Sequence, residues 1–371
     1  MQNTLTVTSA AEYDHILYGQ MTPAMAVEYL RDNRLPVRTF SETLCQMYSG
    51  EDILMRLTDF FLSDMPQANP QSVAKKLKNW LSGRNQPASR EDVFRIAYAL
   101  GLSEAQLDYL LGLCTDYGLQ YRDGHDAVFA WFLRNGYGYA EARAFFTSLP
   151  SAPGLNQVDS SKASHLTREI RNEFLMIQSV EELRQCYLKN LDRFGTLHLR
   201  AYYYFDKFLS LLIHPTPVWI DTPEPYYSVE TVMDTYLSMH MPSGKKREKY
   251  SLVQRLIKQN WPNATSIKNI RNHREDVPRK LLLLLYVITE DSSIILDGQP
   301  EEAELTLDER MEEHWWTLNA MLGDCGMALL DPRNVMDWLI LYAICASSED
   351  EPMRDRLEQV ISLMYEGLEE E

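Results

Sequence analysis

With 371 residues, 45% of them hydrophobic, the chain carries enough apolar material for two globular domains, which excludes a disordered tail or linker protein. A net charge of −17 excludes a protein that coats nucleic acid indiscriminately, because phosphate attraction supplies most non-specific affinity, so any DNA contact must come from a local basic face. The five cysteines, Cys45, Cys114, Cys186, Cys325 and Cys345, are odd in number and never paired as Cys-x-x-Cys; they argue against a disulfide framework and a zinc site, and fit reduced thiols in a cytosol.

From the N-terminus, Met1 to Thr8 lacks the basic flank and apolar run of a secretory signal, which agrees with a cytoplasmic expectation. Pro23 to Leu30, Glu91 to Leu100 and Asp355 to Met364 then space their apolar residues three and four apart, the period of an amphipathic helix. Ser89, Ser103 and Ser179 stand where helix N-caps belong. Alternating strand-like stretches are nearly absent, so the fold class expected is all-α. Leu149 to Ala163 is rich in Pro, Ser and Gly, and a linker is placed at 151–163 between an N-terminal domain (1–150) and a C-terminal domain (164–371). Tyr202-Tyr-Tyr-Phe205 suits either a helix–helix contact or a ligand pocket. Further irregular stretches are expected at His214 to Ser228 and, acidic in character, at Asp291 to Leu305. The apolar run Leu281 to Ile288 is far shorter than the roughly 20 residues a membrane span needs and predicts a buried helix.

The segment Gln71 to Arg90 reverses the sign of its surroundings, with Lys75, Lys76, Lys78, Arg84 and Arg90 and no acidic residue. A helix over 72–81 buries Val73, Leu77, Trp80 and Leu81 and turns Lys75, Lys76, Lys78 and Asn79 outward. Gly83 suits a left-handed stop, and Pro87 delays the next helix to Ser89. Together with Glu91 to Leu111, this stretch resembles the recognition-helix half of the Cro/lambda-repressor (XRE) type helix-turn-helix family. Residues 71–111 carry the resemblance: a helix ending in a Gly turn, a Pro, and two short helices joined by Leu100-Gly-Leu-Ser103. The resemblance implies double-stranded DNA as partner and a role in transcription control. It places Lys75 and Asn79 where that family reads bases, and Lys76, Lys78 and Arg84 beside the backbone. Upstream, Phe61 to Pro70 is expected to form a longer, proline-bound connection than that family's tight turn. The alternative for the basic face is the balancing of neighbouring acids, in a helical interaction or scaffold protein with a vestigial motif.

A long-period repeat is also visible. Leu111-Gly-Leu-Cys114 recurs as Leu322-Gly-Asp-Cys325, and at the same offset Arg122 meets Arg333 and Asp126 meets Asp337. The helix at Arg90 has a weaker counterpart at Arg279. Either the regions about 41–135 and 250–345 are an internal duplication, or helical proteins share such matches by chance. The second region is basic between Lys245 and Lys280 and contains a predicted short helix, Thr265 to Asn272, without the Trp and Gly turn of the first. Lys268, Asn269, Arg271 and Arg274 are its candidates for a second nucleic-acid contact or for docking an acidic protein surface.

Chemistry-bearing motifs are missing. The histidines form no His-Glu-x-x-His pair, no Gly-x-x-x-x-Gly-Lys-Ser/Thr cradle or dinucleotide fingerprint occurs, and no Gly-x-Ser-x-Gly elbow is found. Adjacent carboxylates such as Glu181-Glu182 and Glu312-Glu313 point apart on a helix. The expectation is a protein without catalytic residues, metal or cofactor, whose larger domain serves self-association into a homodimer or the sensing of an unidentified effector, away from membranes.

Overall fold

The computed structural model describes residues 5–152, 163–195, 197–214, 227–242, 250–296, 306–345 and 351–367. Among them the regular structure is helical, nineteen α-helices and one π-helical turn, with an isolated antiparallel bridge between Tyr117 and Met327. The all-α expectation holds. In chain order the helices are α1 (Val7–Tyr18), α2 (Pro23–Arg31), α3 (Phe40–Met47), α4 (Ile53–Asp64), α5 (Pro70–Leu81), α6 (Arg90–Leu100), α7 (Glu104–Thr115), α8 (Gly124–Arg134), α9 (Tyr139–Thr147), α10 (Ala163–Met176) and α11 (Val180–Lys189). There follow α12 (Leu199–Ile213), α13 (Val229–Val232) running into the π turn Met233–Leu237, α14 (Leu252–Asn260), α15 (Ala264–Arg271), α16 (Arg279–Leu296), α17 (Leu307–Asp324), α18 (Val335–Ile344) and α19 (Met353–Tyr365). No described helix is long and apolar enough to cross a membrane.

The backbone divides into two compact units, neither continuous in sequence. One comprises Met1–Val37, Ala201–Met321 and Leu329–Glu371; the other comprises Arg38–Arg200 and Leu322–Ala328. This differs from the division expected at 151–163, of which residues 153–162 lie outside the described set. The reason is physical: composition marks where a chain is irregular, not which distant segments pair. The stretch expected to be irregular at 214–228 also lies mostly outside the described residues. Of the acidic stretch expected to be irregular from Asp291, residues up to Leu296 belong to α16, and 297–305 lie outside the described residues.

The unit built on Arg38–Arg200 has one core, in which Leu44, Leu57, Phe61, Leu77, Trp80, Phe94, Leu111, Phe129, Trp131 and Phe174 join α3 to α8 with α10. Its distant strip Leu322–Ala328 is stitched in by the Tyr117–Met327 bridge and by Gly118 N–H donating to Gly326 O at 3.2 Å. Gly112 leaves room for Ala328, whose Cβ would sit 3.3 Å from an added Cβ there. In the other unit, Leu281 to Ile288 is buried throughout, as is all of α18. The N-terminal helices belong to this core: Ser9 Oγ donates to Asp331 at 2.9 Å, Trp338 Nε1 to Glu12 at 2.8 Å, and Tyr342 Oη to the Met21 carbonyl at 3.1 Å. Tyr202 and Phe205 are buried while Tyr203 is exposed, so the aromatic run straddles a helix packing face.

The offset noticed in the sequence reappears as a hydrogen-bond framework. Asp126 pairs with Arg90 and accepts from Gln120 N–H at 3.0 Å; Asp337 pairs with Arg279 and accepts from Asp331 N–H at 2.8 Å. Arg90 also donates to the Gly118 carbonyl at 2.9 Å, and Arg279 to that of Leu329 at 3.2 Å. Asp108 accepts from Leu119 N–H at 2.6 Å, and Asn319 from Leu330 N–H at 2.8 Å. Asp123 caps α8 as Asn334 caps α18. Apart from the two arginines, every paired position is separated by the same interval as Asp126 and Asp337.

Candidate nucleic-acid interface

The basic segment folds as expected. Asn69 caps α5 by accepting from Gln71 and Ser72 N–H, Pro70 occupies the first turn where no N–H partner is needed, and Gly83 takes φ +71° just past the end. Val73, Leu77 and Trp80 are buried; Lys75, Lys76, Lys78 and Arg84 are exposed and Asn79 is half-buried. The carbonyl of Asn79 accepts from Arg84 N–H at 3.0 Å, which holds Arg84 against the helix end. Ser103 makes the expected capping box and Ser179 the expected cap, whereas Ser89 stands at the α6 N-cap without a side-chain bond.

One expectation about the connection is corrected. Helix α4 runs on to Asp64, so only Met65 to Asn69 separate α4 from α5, and Pro66 begins the turn instead of lengthening it. The two helices pack through Phe61, which meets Trp80 edge-on at 6.0 Å.

The lysines do not share one fate. Lys76 Nζ binds Asp92 Oδ2 of α6 at 2.8 Å and lies 4.7 Å from the Trp80 ring centroid. It pins α5 to α6. The same seam continues through Arg95, whose Nε reaches Asp64 Oδ2 at 2.7 Å, and Arg143, whose Nη1 reaches Asp64 Oδ1 at 2.6 Å. Asp64 and Asp92 are thereby consumed beneath the helix. The side chains of Lys75, Lys78 and Arg84 make no hydrogen bond or ion pair with a described residue, so their charge is uncompensated at the surface.

The second basic stretch is arranged differently. Lys245, Lys246, Arg247 and Lys249 lie outside the described residues. Helix α15 is capped by Asn263 and turns out Lys268 and Arg271, with Arg274 exposed in the turn beyond it, yet Lys268 pairs with Glu230 and Asn269 Nδ2 donates to Glu275 at 2.6 Å. Arg279 is not a surface cation at all; it is buried on Asp337. The turn missing from the sequence is nonetheless present, since His273 adopts φ +55° and repeats the bond of Gly83, its N–H donating to Ile270 O at 2.8 Å.

A cluster that carries no sequence motif sits behind α6. His125 stacks on Phe129 with ring centroids 4.1 Å apart, its Nε2 3.1 Å from Glu91 and its Nδ1 3.6 Å from Asp126. Burial alone would depress its pKa, but hydrogen bonds and charge from Asp126 and Glu91 outweigh this and hold it up at about 9. The only advance sign was the polar run Asp123-Gly-His-Asp126 at a helix start. Among the thiols, burial pushes Cys114 up to about 12 and, with Glu173, Cys186 up to about 11, the opposite of an activated nucleophile. No three His, Cys, Asp or Glu side chains among the described residues gather as metal ligands. Comparison of the chain with protein-family models, with characterised proteins and with solved structures gives no match.

Proposed function

We propose that the protein is a DNA-binding transcriptional regulator of helix-turn-helix type in which α5 meets the duplex. The observation that carries this is the face formed by Lys75, Lys78 and Arg84: uncompensated cations, on a helix anchored by Trp80 and by the Lys76–Asp92 pair, in a chain of net charge −17. Lys75 and Asn79 lie at the positions for base edges in the major groove, and Lys78 and Arg84 flank them for phosphate. Lys76, tied to Asp92 of α6, fixes the angle at which α5 is presented. The second occurrence of the framework does not offer an equivalent helix face, because Glu230 and Glu275 occupy Lys268 and Asn269 and its exposed cations, Arg271 and Arg274, stand at and beyond the helix end. One chain therefore supplies one reading helix, and a two-fold operator calls for two chains. No catalytic step, cofactor or membrane enters this reading, and the cytoplasm is its compartment.

A competing function, a helical interaction protein that keeps the helix-turn-helix as architecture, is favoured by that same second stretch, where the framework recurs with Lys268 and Asn269 engaged by Glu230 and Glu275. Fluorescence anisotropy of the full chain against genomic fragments, with unlabelled competitor DNA and rising salt, separates the two. Specific binding is expected, with log K falling against log salt at a slope of about −2 per bound chain, close to 0.9 per phosphate for Lys78 and Arg84. The Lys75→Glu/Lys78→Glu variant should lose this binding while its unfolding free energy stays within about 0.5 kcal/mol of the parent, as for exposed substitutions generally. A parent that selects no fragment, or a double variant that binds as tightly, rules out α5 as a DNA-reading helix.

A further inference from the structure

The unit carrying α5 also contains a cleft of about 420 Å³, partly open to solvent, at the start of α8. That volume lies within the range of small-molecule pockets. Its walls are aromatic: Phe194 packs against Tyr187 at 4.8 Å between centroids, and Phe146 stands edge-on to Tyr187 at 6.3 Å and to His125 at 5.4 Å. Gly124 is required for this shape, since a Cβ there would come within 2.7 Å of the Tyr187 ring. The Tyr187 hydroxyl is turned away and donates to the Pro150 carbonyl at 3.2 Å.

Asp123 supplies the polar end. Its Oδ1 accepts from His125 N–H at 2.8 Å and so caps α8, while Oδ2 has no hydrogen-bond or ion-pair partner among the described residues. The cations nearby do not serve it. Both His125 nitrogens face Glu91 and Asp126, and the Arg122 guanidinium reaches the carbonyls of Arg193 and Leu197, each at 3.4 Å. Burial, reinforced by the charge of Asp126, pushes the Asp123 carboxyl above the usual carboxylate range.

We propose that this cleft binds a small organic cation, an ammonium with an aromatic or alkyl body, with its head on Asp123 and its body among Phe146, Tyr187 and Phe194. A half-buried carboxylate oxygen without a donor at the mouth of an aromatic cleft calls for one, and aromatic faces attract cations in preference to neutral or anionic groups. A bound cation also offsets the repulsion between Asp123 and Asp126. An anion drawn to the α8 N-terminus would meet Asp123 already seated there. The site stands independently of DNA binding.

Calorimetric titration of the full chain with benzylamine and phenethylamine, against benzyl alcohol and benzoate, tests the proposal at neutral pH. Saturable binding of the amines, and not of the alcohol or the acid, is expected. In Asp123→Asn, where the amide still caps α8, amine affinity should fall about 10- to 100-fold, the factor for losing a charged hydrogen bond. Phe146→Leu should weaken the amines as well while keeping the charge discrimination. Failure of both amines to bind, preference for benzoate, or unchanged amine affinity in a folded Asp123→Asn protein would each overturn the assignment.

Discussion

Lys75 and Lys76 are neighbours in sequence with opposite functions, one a free surface cation and the other an anchor on Asp92. Helical geometry places both on the outer side of α5, and nothing in the segment itself tells them apart. What separates them is a carboxylate 16 positions away in α6 that only the packed structure brings within reach. Histidines show the same dependence on packing. His125 is held protonated by Glu91 and Asp126, whereas burial, aided by Arg310, drives His314 down to about 4, where it accepts the Tyr286 hydroxyl at 2.8 Å. The signs follow from linkage: a raised folded pKa gives stability that is present below the unfolded value and lost as pH rises through the folded one, and a depressed histidine pKa does the reverse. Stability is therefore expected to fall between pH about 6.5, the unfolded histidine value, and about 9 on account of His125. It should also fall from pH about 6.5 toward about 4 on account of His314. Urea unfolding across this range checks both limbs. His125→Gln should flatten the alkaline limb alone, and His314→Gln the acidic one.

At the scale of elements, apolar spacing and caps were sufficient to find α5, α6 and α7 and to bury Val73, Leu77 and Trp80 correctly. The local code failed where a residue adopts a conformation its type disfavours. His273 was unreadable as a turn because only Gly enters the left-handed region freely; here the ring stacks on Tyr202 at 4.7 Å, which compensates the backbone cost. Pro66 misled in the other direction, since a proline after a helix ends it without implying a long loop. The anchoring of α5 rests chiefly on Trp80, 4% exposed, against Phe61 and the aliphatic core of α4. Trp80→Ala should cost about 3–5 kcal/mol, as for other large buried aromatics, and chemical denaturation of the full chain measures it. A loss under about 1 kcal/mol would show that α5 is held elsewhere, by the Lys76–Asp92–Arg95–Asp64 seam.

For the whole molecule, composition foresaw the helical class but not how distant segments group. Irregular sequence at 151–163 suggested a cut between successive domains, while each unit instead combines segments distant in sequence. The recurring framework was legible because Asp126 and Asp337 keep the same spacing to the groups they bind. The candidate cleft was not legible, because Asp123, Phe146, Tyr187 and Phe194 come from four separate places whose meeting depends on α8, α9 and α11 packing together.

The strip Leu322–Ala328 that completes the unit around α5 sets a timetable for the protein's manufacture. A ribosome releases the chain from its N-terminus at about 5–20 residues per second, and domains ordinarily fold as they emerge. Here the bridge to Tyr117 and the bond to Gly118 must wait for residues synthesised some two hundred positions later. The N-terminal helices wait too, since Glu12 and Met21 are held by Trp338 and Tyr342. Nascent chains stalled with about 250 residues outside the exit tunnel should thus remain open to protease around Tyr117, those extended past Ala328 should become resistant there, and the N-terminal helices should follow only once Trp338 and Tyr342 have emerged. Early protection of Arg38–Arg200 on the shorter chain would mean that the strip decorates a finished unit instead of closing it.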